Sequence, residues 1–125
     1  MRNYQNYAVW QKAHELCVFI YKKVLCHFPP EEKFGLASQL RRAVSSIPMN
    51  IAEGCGRGSE KDFVHFLDIA LGSIHEVEYC LLLTSDLGFI TKEMYNITVK
   101  QITDIKAMLI GLIKSIRKPE VKPKA

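Results

Sequence analysis

No stretch of this chain alternates apolar and polar side chains with a period of two, so no β-sheet is expected. No apolar run reaches the roughly 18 residues that a membrane-spanning helix needs. The first residues, Met1 to Tyr7, lack the hydrophobic region of a signal peptide, and a soluble cytoplasmic protein without a membrane role is the expectation. Cysteine is sparse: Cys17, Cys26, Cys55 and Cys80 stand without CxxC spacing, which excludes a dense disulfide framework and predicts free thiols, three of them on helices. Charge of one sign is also lacking. The net charge is +4, but residues 114–125 hold five basic side chains against Glu120, which leaves the rest of the chain with 12 basic and 12 acidic residues. The excess sits in a Pro- and Lys-rich ending that cannot bury apolar surface, so residues 118–125 are expected to form a disordered basic tail on a domain of residues 1–117.

What the chain does have is helical periodicity. A first helix is predicted from about Ala8 to Cys26, with Val9, Ala13, Leu16 and Ile20 on one stripe, stopped by Pro29-Pro30. A second begins between Glu31 and Leu36 and reaches Glu53, with Gly54 as a left-handed cap. Ser59 can cap a third helix that runs to Leu87 before Gly88. A fourth runs from Thr91 to about Ile116, with Tyr95, Thr98, Ile102, Ile105, Leu109, Leu112 and Ile116 at heptad spacing. Short connections make consecutive helices antiparallel, and the expected fold is all-α, an up-down-up-down four-helix bundle. Several turns are apolar all round, among them Leu16 to Tyr21, Tyr79 to Leu83 and Met108 to Ile113. A bundle buries only one stripe per helix, so this surplus predicts oligomerisation.

The segment from Gln39 to Gly58 carries the densest information. Leu40, Val44, Ile47 and Ile51 form an apolar stripe, while Gln39, Arg42, Ser46, Asn50 and Glu53 form a polar stripe beside it. Pro48 supplies no N–H to Val44 and is expected to kink the helix.

Gln39-Leu-Arg-Arg-Ala43, Ser46-Ile-Pro48 and Asn50-Ile-Ala-Glu-Gly54, together with Val9-Trp-Gln-Lys-Ala13, Phe34-Gly-Leu36, Phe66-Leu67 and Gly72-Ser73, resemble the four-helix-bundle proteins encoded by intervening sequences in bacterial 23S ribosomal RNA genes. The resemblance spans about residues 4–116. It implies an antiparallel bundle that assembles as a homopentamer around a central channel. A related branch, the accessory proteins of diversity-generating retroelements, resembles it in fold and binds nucleic acid and a reverse transcriptase. That branch has a strongly basic surface, whereas this chain is neutral outside its tail.

Two readings of the polar residues follow. In the first, Arg42, Ser46, Asn50 and Glu53 form a buried or inter-subunit network with Glu76 or Glu78 as counter-ion, because a buried charge without a partner costs several kcal/mol. In the second, Arg41, Arg42, Arg57 and Lys61 form a phosphate-contacting patch, extended by Lys114, Arg117, Lys118, Lys122 and Lys124 in and before the tail. Gly54 to Ser59 enters a helix as an anion-binding loop would, but no strand precedes it and no Gly-Lys-Ser/Thr follows. An interhelix turn with positive-φ glycines is the simpler reading. His14 with Cys17, and His65 with His75, lack structural zinc spacing, so no metal or cofactor is expected. Cys55, placed in a loop near Arg57, has no sequence feature that sets a base beside it, so no catalytic residue and no enzyme are expected. The leading expectation is a homo-oligomer that binds RNA or a nucleic-acid-processing protein. The rival is an assembly module with no nucleic-acid role.

Overall fold

The computed structural model describes residues 2–118. It consists of four long helices: α1 (Ala8–Phe19), α2 (Leu36–Cys55), α3 (Glu60–Asp86) and α4 (Lys92–Ile116), with no strand among the described residues. The tail residues Lys122 and Lys124 lie outside this range.

Local chemistry explains the boundaries. The Ser59 hydroxyl accepts the Asp62 N–H at 3.1 Å and the Thr91 hydroxyl accepts the Met94 N–H at 3.1 Å, each satisfying a free donor of a first turn. At the start of α2 the Glu32 carboxylate takes that role, accepting the Leu36 N–H at 2.8 Å. At the end of α3, Gly88 has φ 78, its N–H reaches the Ser85 carbonyl, and the Phe89 N–H reaches that of Thr84. This pairing is the Schellman closure, and it needs a residue free to adopt positive φ. Beyond α1 the chain continues as a π-helical turn, Ile20–Val24, and a tight turn, Leu25–His27. Ile20 and Val24 are both fully buried.

Several expectations are corrected. Gly54 is not a left-handed cap: α2 runs on to Cys55 and closes at Gly56 with φ −81, and Gly88 holds the positive φ among the described residues. The glycines of the α2–α3 turn therefore do not supply positive φ. Cys55 is not in a loop but ends α2 at 1% exposure. Pro48 is buried within α2, whose helical turns continue on both sides of it. In α4 the buried stripe is Thr98, Ile102, Ile105, Leu109 and Ile113, with Leu112 and Ile116 only partly covered. A helix of 3.6 residues per turn drifts from a strict heptad, which hands the last core position to Ile113.

Contacts between the helices set their directions. Ser46 meets Ser73, whereas Gly54, further along α2, meets Phe66, earlier in α3, so these two helices run antiparallel. Lys106 meets Glu78 and Arg117 meets Asp68, so α3 and α4 do the same. Arg2 donates to the Arg57 carbonyl and the Tyr7 ring meets that of Phe63, which gathers the chain start, the α2–α3 turn and the end of α4 at one end of the bundle, the proximal end. Phe28 against Phe89 joins the α1–α2 and α3–α4 connections at the other, distal end. Leu16, Ile47, Phe63, Leu67, Ile74 and Ile105 are among the largest side chains of the single core between the helices.

Candidate functional site: the α2–α3 groove and the proximal end

The α2–α3 pair is the most extensively packed. Its closeness has a local cause: a Cβ on Gly54 would sit 3.0 Å from the Phe66 Cβ and 3.1 Å from the Phe63 carbonyl oxygen. Above this contact the two helices leave a continuous groove. One part, of about 280 Å³, is lined by Gln39, Arg42, Ala43, Ser46, Ser73 and Glu76. The other, of about 550 Å³, shares Arg42 and Ser46 and adds Met49, Asn50, Glu53 and Phe66. This is the polar stripe of α2, placed against α3.

Its polar floor is joined by hydrogen bonds across the two helices. The Asn50 amide donates to the Ser46 carbonyl and hydroxyl, each at 2.8 Å, and the Ser73 hydroxyl donates to that of Ser46 at 2.8 Å. Ser73 is the partner that sequence reasoning missed, because nothing in the chain pairs positions 46 and 73 until the register of the helices is known. Arg42 and Glu76 stand at the rim, exposed, and neither makes an ion pair among the described residues. Glu53 pairs instead with Arg57 at 2.7 Å, whose guanidinium lies 4.7 Å from the Phe66 ring centre. Glu78 pairs with Lys106 at 3.1 Å. The structure thus brings Ser46 and Asn50 together and leaves Arg42, Glu53 and Glu76 around them.

The basic residues separate into two sets. Arg41 turns away from the groove and donates to the Lys33 carbonyl at 2.9 Å, bracing the α1–α2 connection. Arg42 is some 20 Å of helix rise away from Arg57. At the proximal end Lys61, Val64, Ile116 and Arg117 line one depression, with Glu60 beside them, while Arg57 lies over Phe66 on the side of α3 that faces α2. Arg117 forks onto the Asp68 carboxylate, with one of its bonds at 3.2 Å. Lys114 and Lys118 are exposed nearby in sequence. Arg2, which the sequence reading left aside, joins this end with its guanidinium 4.2 Å from the Phe63 ring centre.

Three of the four thiols are withdrawn from solvent. Burial pushes those of Cys17, Cys55 and Cys80 up; Arg2, not Arg57, acts weakly in the other direction on Cys55, and the Glu76 carboxylate raises Cys80 further. No group of three His, Cys, Asp or Glu side chains able to hold a metal ion occurs among the described residues.

No curated protein matches the chain. Among solved structures it is similar to a protein of unknown function from the S23 ribosomal protein family of Bacteroides thetaiotaomicron, with 33% identity and a TM-score of 0.78 over 85% of this chain and 95% of that one. Residues 5–111 match the model of the 23S rRNA-intervening sequence proteins, and with that match extending from the first turns through α4, the chain belongs to that family.

Proposed function

We propose that this chain is a non-enzymatic building block of a cytoplasmic homo-oligomer, with five copies as the number the family resemblance implies. The observation that carries the reading is the exposure of large apolar side chains on a bundle whose core is already complete: Phe34 is 87% exposed, Met49 67% and Tyr79 62%. Soluble monomers keep such surface small, and a second copy is the covering that needs no further gene product. Native mass measurement tests it: a mass well above the 14.3 kDa of one chain is expected. A species of one-chain mass at every concentration would overturn it.

A second reading, contact with RNA or a nucleic-acid-processing protein, rests on Lys61 and Arg117 lining one depression at the proximal end, with Arg57 on the neighbouring α2–α3 turn and Lys118 leading into the basic tail. Two of these cations are held by Glu53 and Asp68. Exposed pairs of that kind contribute only about 0–1 kcal/mol, so phosphates could displace the carboxylates at little cost. Cyclic assembly would repeat this end around a ring. Without such contact the chain remains an assembly module.

A further inference from the structure

The apolar surface is unevenly distributed. Tyr21, Phe34, Tyr79, Leu82, Leu87 and Ile97 are exposed and belong to the distal half of the bundle. Phe34 stands out among them because its backbone is tightly held. The Lys33 N–H reaches the Pro30 carbonyl at 3.1 Å and the Gly35 N–H reaches that of Glu32 at 3.0 Å. The Glu32 carboxylate fixes the Leu36 N–H, and the Arg41 guanidinium clamps the Lys33 carbonyl. A nearly fully exposed aromatic ring on a turn braced from both sides has lost its backbone freedom before meeting a partner, which is the property of an interface anchor. A cation, the Lys33 ammonium, lies 5.4 Å from the ring centre.

The same chain carries a surface of opposite character. On α3, Tyr79 and Leu82 are exposed at a three-residue step and are flanked on the same side of the helix by Glu76 and Asp86. Neither carboxylate makes an ion pair among the described residues. An aromatic anchor with a cation at its side and an apolar stripe with anions at its ends are complementary and not identical, which is what a head-to-tail contact between copies requires. We propose that Phe34 of one copy docks on the Tyr79–Leu82 stripe of α3 in the next, with Lys33 facing Glu76 or Asp86. The contact rests on the assembly reading above and names the surfaces that make it.

Native mass and sedimentation of the full chain, wild type and Phe34→Ala, test the contact, together with disulfide formation between Phe34→Cys and Leu82→Cys chains mixed in a Cys26→Ser background. Truncating the anchor is expected to weaken self-association by about thirtyfold or more, the scale of a hot-spot residue. Helix content should stay at the wild-type value, and the unfolding midpoint should match wild type at concentrations where both are single chains, because the ring is solvent-exposed in the single chain. The mixed chains are expected to give the heterodisulfide dimer in preference to either homodimer. A wild-type chain that stays single at all concentrations sinks the assembly reading and this contact together. An assembled wild type whose Phe34→Ala variant associates as tightly, with no heterodisulfide, overturns the contact and leaves assembly standing.

Discussion

At the scale of single residues the four cysteines separate by environment. Cys26 is exposed, Cys17 half-buried, and Cys55 and Cys80 are buried in the core. Burial raises the thiols of the last three above the usual value of 9.0. A group raised in the folded state favours folding fully while both states hold the proton. That advantage is lost as pH climbs past 9.0 and the unfolded thiols ionise first. Stability measured by denaturant should therefore fall between about pH 8 and about pH 10. A variant carrying Cys17→Ala, Cys55→Ala and Cys80→Ala should lose part of that slope, and an unchanged slope would refute the linkage. The sequence shows that the thiols lack CxxC spacing. Which ones are dry was not legible there, because burial follows from how the helices pack, and for Cys55 also from the extent of α2 beyond Glu53.

At the scale of elements, α2 against α3 is the contact that organises the bundle, and Gly54 is its closest point. A methyl group there meets Phe66 Cβ at 3.0 Å and the Phe63 backbone at 3.1 Å, atoms that cannot swing aside as a flexible chain end could. Gly54→Ala should cost about 1–3 kcal/mol despite alanine's better helix propensity, because overpacking outweighs a propensity gain of about 1 kcal/mol. Equilibrium unfolding checks the sign: a stabilised variant would mean that the helices separate without cost. The helix starts at Ser59 and Thr91 were legible because a capping hydroxyl acts within one turn. Gly54 was read as a cap for the same local reason, and that reading failed because its role is set by residues 9 and 12 positions away on another helix. The Ser46–Asn50–Ser73 cluster has the same character. Its first two members share a helix face that periodicity reveals, while the third is supplied by antiparallel register.

At the scale of the whole molecule the chain has two unlike ends, one collecting cations and the other exposing apolar side chains. If the proximal end takes up RNA, affinity for a structured RNA should fall steeply as salt rises, with a log–log slope of about one for each phosphate neutralised. Lys61→Ala with Arg117→Ala should flatten that slope by about two while the native mass stays unchanged. No binding at low salt, or a slope indifferent to these substitutions, would leave the assembly role alone.

The helices, the single core and the family were determined by the sequence itself, because periodicity, caps and the Asn50-Ile-Ala-Glu-Gly54 string are local and need no partner to be read. The polar stripe of α2 was visible in the same way, as a face. Only the tertiary structure decided which α3 residue bonds to it, that Arg57 takes Glu53, that Lys106 takes Glu78, and that Arg42 and Glu76 are left at a rim. Side-chain pairing across helices depends on register and rotation, and those follow from how two whole surfaces pack, a property no segment of the chain carries alone.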